Sequence, residues 1–274
     1  MAAQGNNGAG FDFGRNWEAF SRSVGDAALN EARKGLQRLF PDGALEGVRL
    51  LDIGCGSGLH SVAALTLGVR SLVAIDINPR SVSTTHSLME RFAPPGNWLV
   101  QQASVFNLPP DQFDIVYSWG VLHHTGDMRR ALDYAIAQVR PGGLFAFALY
   151  RRTPLCSLWK LEKRLYTASG TGFRRFLEAG YKFAFRCGLA LTGRSYADYV
   201  RDYIASRGMS FETDVRDWLG GYPYESISEA EVEDFMIQRG FTKVRSFCHK
   251  PGFGLLGTGC DEYVYRRGIH DFGI

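Results

Sequence analysis

The sequence lacks an apolar run long enough to cross a membrane. Its longest near-uninterrupted apolar stretch is LFAFALY at 144–150, whereas a transmembrane helix needs roughly 20 residues. The N-terminal MAAQGNNGAG has neither a basic start nor an apolar core, so no secretory signal peptide is expected. Both absences favour a cytoplasmic protein without a transmembrane segment.

Cysteine pairs are also missing. The chain has five cysteines, an odd number, and no two of them form a C-x-x-C pair. Zinc sites and disulfide-rich domains depend on cysteines paired at short spacings. We therefore expect free thiols in a reducing compartment and no metal. The cysteines are Cys55, Cys156, Cys187, Cys248 and Cys260.

A large net charge is absent, yet the charge is unevenly distributed. The formal net charge is +3, while residues 151–201 hold eleven Lys/Arg and three acids. That segment therefore carries +8 and the remainder of the chain −5. A basic block within an otherwise acidic chain favours an anionic partner or substrate. A solvated helical face explains the same pattern equally well.

Strands alternate with helices through the first half of the chain. Short apolar runs separated by helices of about ten residues are typical of right-handed βαβ units and a parallel sheet. Residues 151–207 look helical, and two β-like runs at 241–249 and 260–267 predict an antiparallel pair at one sheet edge. The expected strands are 48–54, 71–77, 97–103, 113–120 and 144–150, and the expected helices are 12–40, 61–68, 79–92, 127–140 and 228–240.

A glycine-rich loop follows the first predicted strand. In LLDIGCGSGLHS, residues 50–61, glycines stand at every second position, and Leu59 stands where a dinucleotide fingerprint has its third glycine or alanine. No Gly-Lys-Ser/Thr follows, which excludes a phosphate-cradling Walker loop. The carboxylate of Asp52 would repel a pyrophosphate and attract an ammonium. The loop therefore favours a ligand with a positive group and no phosphate.

A second carboxylate, that of Asp76, ends the second predicted strand, 18 residues after Gly58. A carboxylate at this place accepts hydrogen bonds from both hydroxyls of a ribose. Dinucleotides and other adenosine cofactors share this feature, so it is weak when taken alone. Combined with the loop, it describes an adenosine that carries a cationic amino acid, and S-adenosylmethionine is such a molecule.

Four ordered motifs carry a family resemblance. LLDIGCGSG, VAIDINP, FDIVYSWGVLHH and VRPGGLF, spread over about residues 45–150, resemble those of class I S-adenosylmethionine-dependent methyltransferases, nearest to the ubiquinone-biosynthesis-type methylases. The resemblance implies an α/β fold with a Rossmann-like, seven-stranded, mostly parallel sheet. It also implies an antiparallel C-terminal hairpin at 241–267 and a helical insert between strands 5 and 6.

The same resemblance implies roles for individual residues. Asp52 and the loop backbone would hold the methionine moiety, Asp76 the ribose and Ile77 the adenine. Backbone at two positions after the fourth strand would line the methyl-transfer pocket. The loop residues are Gly54, Cys55, Gly56 and Gly58, and the pocket residues are Trp119 and Gly120.

One position departs from the family pattern. An acidic residue usually follows the third strand and bonds the adenine amino group, but Ser104 stands there in this chain. A serine hydroxyl accepts that hydrogen bond more weakly. The alternative is an adenine contact from the backbone near Ala103 and Val105.

Two histidines are candidates for a catalytic base. His123 and His124 follow the fourth strand, and a histidine can remove a proton from a methyl acceptor. The alternative is that these residues form a structural turn with one ring against the cofactor. Methyl transfer also proceeds through alignment of donor and acceptor without an essential base.

Three further segments are candidates for roles at the site. Tyr222, Tyr224 and Glu225 lie on a turn that could reach the substrate pocket. Arg15–Trp17 belong to an N-terminal helix that, by the same resemblance, is a candidate lid over the cofactor, and a plain packing helix is the alternative. Residues 151–217 combine basic and aromatic residues. Such a combination suits a cap over a phosphorylated or lipid-linked small molecule, a membrane-surface helix, RNA binding or a plain helical core.

The sequence thus predicts four parts and one activity. The parts are an N-terminal helical lid at 1–45, a cofactor-binding core at 46–150, a basic helical cap at 151–225 and the completion of the sheet at 226–274. The predicted activity is in-line transfer of a methyl group to O, N or C of a small-molecule acceptor, which leaves S-adenosylhomocysteine and needs no metal. An RNA methyltransferase and a non-catalytic S-adenosylmethionine-binding regulator are the alternatives, and the chain is a monomer or a homodimer.

Overall fold

The computed structural model describes residues 12–22, 24–207, 210–249 and 259–269. The predicted tail at 1–10 lies outside these ranges. Seven strands and ten α-helices form the described part of the chain. The strands are β1 (Arg49–Ile53), β2 (Ser71–Asp76), β3 (Asn97–Gln102), β4 (Phe113–Trp119), β5 (Val139–Tyr150), β6 (Phe241–Phe247) and β7 (Cys260–Arg267).

The helices fall into three groups along the chain. Two precede the sheet, four alternate with strands in the sheet, and four consecutive ones separate β5 from the last α/β segment. The helices are α1 (Phe13–Ser21), α2 (Asp26–Leu39), α3 (Leu59–Thr66), α4 (Pro79–Phe92), α5 (Met128–Ala137), α6 (Cys156–Ala168), α7 (Thr171–Leu191), α8 (Tyr196–Arg207), α9 (Phe211–Gly220) and α10 (Glu229–Ile237).

All seven strands belong to one sheet with the order β3-β2-β1-β4-β5-β7-β6. The first five strands pair in parallel, and β7 runs antiparallel between β5 and β6. The predicted Rossmann-like sheet with an antiparallel C-terminal hairpin is therefore confirmed, as is the helical insert between the fifth and sixth strands.

Side-chain caps fix several helix starts. Asn78 accepts a hydrogen bond from the Arg80 N–H, with Pro79 at the first helical position. Ser228 and Glu231 form a reciprocal capping box at the start of α10. These caps satisfy backbone donors that would otherwise have no partner within the helix.

The fifth strand corrects a predicted boundary. The helix expected at 127–140 ends at Ala137, and β5 begins at Val139 rather than at 144. Pro141 disfavours a helical conformation for the residue before it. A Cβ on Gly143 would lie 2.9 Å from the Asp114 carbonyl oxygen, so glycine lets the two strands approach closely where their register shifts.

The sheet separates two hydrophobic cores because side chains alternate along a strand. Leu50 packs with α2, α3 and α4 on one face, whereas Leu51 packs with α5 and α10 on the other. Helices α6–α9 have a third, smaller core around Tyr166, Tyr203 and Phe211. Within the described residues, no helix combines the length and apolarity required to traverse a bilayer.

Candidate active site

A cavity of about 2290 Å³ opens at the carboxyl ends of the parallel strands. Its walls include the loop after β1, the ends of β2 and β4, helix α1, and helices α6 and α9. The strand order reverses direction between β1 and β4, and ligands of open α/β sheets bind at such a switch point. The cavity is larger than the roughly 300–1,000 Å³ of a typical small-molecule pocket, so two ligands fit side by side.

The loop after β1 depends on glycine at three positions. Gly54, Gly56 and Gly58 have φ values of 79°, 56° and 82°, in the left-handed region that other residues rarely adopt. A Cβ on Gly58 would lie 2.9 Å from the Cα of Thr85, and one on Gly56 would lie 3.1 Å from the indole of Trp17. The loop backbone is therefore pressed between α1 and α4.

Internal hydrogen bonds already occupy most N–H donors of this loop. Two donate to the carbonyl at the end of β2, one to a carboxylate and one within the loop. These four loop donors are therefore not available to a phosphate, whereas the first-turn N–H groups of α3, which begins at Leu59, are not among them. The four bonds are Gly54 N to Ile75 O at 2.8 Å, Cys55 N to Ile75 O at 3.0 Å, Gly56 N to Asp76 Oδ2 at 3.1 Å and Gly58 N to Cys55 O at 2.8 Å.

The end of β2 presents one carboxylate and one apolar side chain to the cavity. Asp76 Oδ1 accepts a hydrogen bond from the Asn78 N–H at 2.8 Å. Burial raises the pKa of Asp76, while the backbone donors of Asn78 and Gly56 oppose that shift. Ile77 is 70% exposed in the cavity wall. An uncovered isoleucine beside a carboxylate offers a flat apolar surface for a planar ring.

The turn after β3 lies opposite that isoleucine. Ala103, Ser104 and Val105 all line the cavity. The Ser104 hydroxyl accepts a hydrogen bond from the Phe106 N–H at 3.3 Å, and the Ala103 N–H donates to the Asp76 carbonyl at 3.1 Å. The serine therefore caps a short 3₁₀ turn and retains its own hydroxyl proton for a ligand.

Asp52 lies beneath the loop rather than in the cavity wall. It is 3% exposed, and its Oδ2 accepts a hydrogen bond from the Ser61 hydroxyl at 2.5 Å. Burial raises the pKa of Asp52 to about 7, against the opposing effect of Ser61. The structure does not bring this carboxylate to the wall, and its contact with a ligand ammonium stays a prediction.

The end of β4 supplies the next part of the wall. Trp119 is 40% exposed, and its Nε1–H donates to Glu262 at 2.9 Å. Gly120 has a φ of 74°, and its N–H donates to the Ala148 carbonyl at 3.1 Å. Both predicted pocket residues line the cavity, and the cross-strand bonds fix their backbone.

His123 is a buried, neutral histidine. It is 0% exposed, and its Nδ1 accepts the Tyr150 N–H at 3.2 Å. The proton must therefore lie on Nε2, which is buried without a partner among the described residues. Burial, together with the charges of His124 and Lys163, lowers the pKa of His123 well below its usual value. Neither ring nitrogen can accept a proton from an acceptor.

His124 has the opposite tautomer. Its Nδ1 lies 2.7 Å from the Pro223 carbonyl oxygen, which only accepts hydrogen bonds, so Nδ1 carries the proton. Burial lowers the pKa of His124 to about 4, while the carbonyl opposes that shift. The Nε2 atom thus retains a lone pair at neutral pH, in a side chain that lines the cavity.

The turn at 220–225 holds both histidines in place. Tyr222, Tyr224 and Glu225 all line the cavity, as the sequence predicts for substrate-contacting residues. Tyr224 is 2% exposed and donates its hydroxyl to Cys156 Sγ at 3.3 Å. Glu225 accepts the Met128 N–H at 2.8 Å, and so caps α5. These contacts give Tyr224 and Glu225 a structural role beside any role in binding.

Helix α1 closes one side of the cavity. Asn16 donates to Asp217 of α9 at 2.7 Å, and the Phe13 ring lies 5.2 Å from the His124 ring. Trp17 packs against Gly56 of the loop. Burial raises the pKa of Asp217 to about 8. The helix thus contacts the loop, His124 and α9, and its role as a lid stays a prediction.

Sequence reasoning missed three polar groups of this cavity. His60 bonds the Tyr117 hydroxyl at 3.1 Å, and burial lowers its pKa to about 4. Asp217 and Lys163 lie in the wall that α9 and α6 provide. None of the three belongs to a recognisable motif, and in the sequence Lys163 is visible only as one charge of the basic block.

Among the residues that the structure describes, no three or more His, Cys, Asp or Glu side chains are grouped so that they could hold a metal ion. All five cysteines lie within the described ranges, and none of them forms a disulfide bond.

A seven-stranded α/β sheet with a glycine loop and an acidic residue at the end of β2 defines a nucleoside-cofactor fold. A family model described as a methyltransferase domain matches residues 26–183, which is more than half of the chain. The chain therefore belongs to the methyltransferase-domain family.

Individual relatives match a smaller part. A ubiquinone biosynthesis O-methyltransferase of Methylobacterium sp. (strain 4-46) is 34% identical over 109 residues, which are 40% of this chain and 43% of the relative. A tRNA U34 carboxymethyltransferase of Hahella chejuensis is 35% identical over 101 residues, 36% of this chain and 31% of the relative. This chain therefore spans less than half the length of these relatives.

Solved structures share the fold over nearly the whole chain. The magnesium protoporphyrin IX methyltransferase from Synechocystis PCC 6803, with bound S-adenosylhomocysteine (SAH), has a TM-score of 0.56 and 14% identity. The match covers 93% of this chain and 94% of that structure. At this identity the likeness establishes the fold alone.

Proposed function

We propose that this protein is an S-adenosylmethionine-dependent methyltransferase that acts on a small-molecule acceptor in the cytoplasm. The observation that carries the proposal is the glycine loop, whose N–H donors at Gly54, Cys55, Gly56 and Gly58 bond within the protein. These loop donors are not available to a phosphate, and an adenosine with a cationic amino acid does not need them. S-adenosylmethionine would supply a methyl group activated by its sulfonium.

The cavity wall fits that cofactor. Each carboxylate oxygen has two acceptor sites, so Asp76 can bind ribose hydroxyls while it keeps its backbone donors. Ile77 offers an apolar surface to the adenine, and Ser104 a hydroxyl to its polar edge. Trp119 and Gly120 border the space beyond the sulfur. Asp52 supports the loop from beneath.

His124 is the residue that we propose as the acceptor's base. Its Nε2 carries a lone pair because Nδ1 donates to Pro223, and it can accept the proton that a hydroxyl loses on methylation. His123 orients its neighbour, since the two ring centroids lie 4.3 Å apart. With a pKa of about 4 His124 is a weak base, so alignment of the acceptor carries the larger share of the rate.

We also propose the four-part division predicted from the sequence, with 1–45 as a lid and 151–225 as a cap over the acceptor. The cap argues against RNA. Five of the nine aromatic residues at 151–201 pack in the third core instead of offering stacking surfaces. Several of its basic side chains are paired, Arg152 with Glu231 and Lys182 with Glu212 among them.

Calorimetric titration tests the cofactor. We expect S-adenosylmethionine and SAH to bind and NAD not to bind. Asp76→Ala should weaken S-adenosylmethionine binding at least about 100-fold, because two hydrogen bonds to a charged group are worth about 1.5–3 kcal/mol each. Asp42→Ala, an exposed turn residue, is the matched control and should bind like the wild type. NAD binding without S-adenosylmethionine binding would contradict the proposal.

Radiolabelled S-adenosylmethionine tests the acceptor class. We would offer it with a panel of catechols and hydroxybenzoates and, separately, with bulk tRNA. Label in a small molecule supports the proposal. Label in tRNA alone would instead establish the RNA alternative, and binding without transfer to any acceptor would favour a regulator.

A further inference from the structure

Helix α6 places one lysine inside the cavity. Lys163 is 5% exposed, although lysine is almost never fully buried unless it is paired. Its side chain lines the cavity, one turn after Lys160 and beside Arg164, both of which are exposed. Within the described part of the chain, the Lys163 ammonium has neither a hydrogen bond nor an ion pair. A buried cation with three unused donors is costly unless a ligand meets it.

Two aromatic rings hold this ammonium without neutralising it. Its Nζ lies 5.5 Å from the ring centroid of Tyr224 and 5.8 Å from that of Tyr150. Such distances are within the range of cation–π attraction. The rings orient the ammonium, and its charge and its N–H donors remain available.

Three titratable groups act on the charge of Lys163, and none forms an ion pair with it. They are Glu162, Asp217 and Cys260. Glu162 is the preceding residue of the helix, and neither of its carboxylate oxygens has a hydrogen-bond partner among the described residues. Burial raises the pKa of Glu162 to about 7, against the opposing effect of Lys163, so its carboxylate is only partly ionised at neutral pH. Asp217 accepts a hydrogen bond from Asn16, and burial raises its pKa to about 8, so its carboxyl is largely protonated at neutral pH.

Lys163 itself stays charged at neutral pH. Burial lowers its pKa to about 8, while Glu162, Asp217 and Cys260 oppose that shift. The cavity therefore contains a positive charge at neutral pH. Among the described residues, no fully ionised carboxylate is paired with it.

Lys163 and His124 both lie close to Tyr150 in the cavity. The Tyr150 ring lies 5.3 Å from the His124 ring and also borders Lys163. A molecule that bridges this tyrosine would place one end at the ammonium and the other at Nε2 of His124. The ammonium is thus positioned to fix the far end of an acceptor.

We propose that Lys163 binds an anionic group of the methyl acceptor, a carboxylate or a phosphate, and thereby selects an anionic small molecule as substrate. The proposal rests on the proposed methyltransferase function. Lys160 and Arg164, on the exposed face of α6 at the same cavity, attract the anion toward the site. The basic block of the sequence thereby has one member with a defined role.

The test follows the ¹³Cε signal of Lys163 in the full chain saturated with SAH. The signal is assigned by its loss in Lys163→Met, and acetate, phosphate and the neutral acetamide are titrated at millimolar concentration. We expect a saturable shift with acetate or phosphate and none with acetamide. An acetate response identifies a carboxylate and a phosphate response a phosphate. The absence of a shift with both anions, or an equal shift with acetamide, overturns the proposal.

Two variants separate binding from structural support. Lys163→Met should lower anion affinity about tenfold or more, since a hydrogen bond to a charged group is worth about that much, and should leave SAH affinity unchanged. Its Tm should stay the same or rise, because an unpaired buried charge is removed. Lys160→Met is the matched control on the same helix and should change anion affinity less than Lys163→Met does. A fall in Tm with unchanged anion binding would show that Lys163 is structural. If the wild type did not bind SAH, the proposed methyltransferase function would be contradicted instead.

Discussion

The sheet-bound core and the helices α6–α9 form their parts of the cavity in different ways. In the core, backbone hydrogen bonds fix most of the cavity wall, because N–H groups of the loop after β1 donate to the carbonyl at the end of β2. In α6–α9, buried side chains such as Lys163 and Asp217 supply the wall. The same helices leave large apolar side chains uncovered, with Phe176 and Phe183 each 70% exposed. The sheet-bound part of the cavity is thus fixed by chain geometry, and the part that α6–α9 provide is fixed by residue choice.

This difference explains why one part has a sequence motif and the other has none. A backbone that must adopt positive φ permits little besides glycine, so Gly54, Gly56 and Gly58 are visible in the sequence. A side chain that recognises an acceptor can come from any position of a helix. The two parts meet at His124, which belongs to the core and bonds the Pro223 carbonyl after α9.

The largest expected effect comes from a substitution of His124, the residue at which the two parts meet. His124→Gln should lower the methylation rate about 100-fold, the usual contribution of a base, and leave S-adenosylmethionine affinity unchanged. The measurement is turnover with an acceptor from the phenol panel, against calorimetric binding. His86→Gln, an exposed histidine on α4, is the matched control. An unchanged rate in His124→Gln would leave alignment as the sole source of catalysis.

Gly58→Ala tests how strongly the core depends on its backbone. Alanine at a φ of 82° with its Cβ 2.9 Å from the Thr85 Cα should cost about 2–3 kcal/mol. Thermal unfolding should therefore show a fall in Tm of about 5–10 °C. Gly43→Ala is the control, because Gly43 has a φ of 72° with no atom within 4 Å. If both variants lose the same amount, the Thr85 contact contributes nothing.

The core could be predicted from the sequence, because hydrophobic alternation and turn residues determine it locally. The positions of most strands, the loop and Asp76 all follow from patterns within a few residues of each other. The tautomers of His123 and His124 could not be predicted, since they depend on contacts with Tyr150 and Pro223, both distant in the chain. The start of β5 was wrong because pairing with β4 overrides the helical pattern there.

Asp217→Asn tests the cap through pH. The folded pKa of Asp217 is about 8 against an ordinary 3.8, so the folded state holds a proton that the unfolded state releases, and stability falls as pH rises toward 8. The variant removes this loss and should be more stable by about 1 kcal/mol at pH 8, a small effect because the Asp217 side chain is only partly buried. The window is about pH 6.5–8, above the range in which buried histidines such as His60 gain protons on unfolding.

Thermal unfolding at both ends of that window is the measurement. Asp42→Asn, at an exposed turn, is the control and should keep the pH slope of the wild type. A variant slope equal to that of the wild type would mean that Asp217 is ionised at neutral pH. Asp217 would then be a counterion for Lys163, which would weaken the case for an anionic acceptor.

The smallest expected effect has the opposite sign to that of Gly58→Ala. Gly180 lies inside α7, and a Cβ there would meet no atom within 4 Å. Alanine is favoured over glycine in a helix interior by about 0.8–1 kcal/mol, so Gly180→Ala should raise the free energy of unfolding by about 0.5–1 kcal/mol. Denaturant titration of Gly58→Ala and Gly180→Ala side by side measures both signs. A loss of stability in Gly180→Ala would mean that a partner or another segment packs against this face of α7. The cap would then resemble the core in not tolerating substitution, and the contrast between the two regions would be wrong.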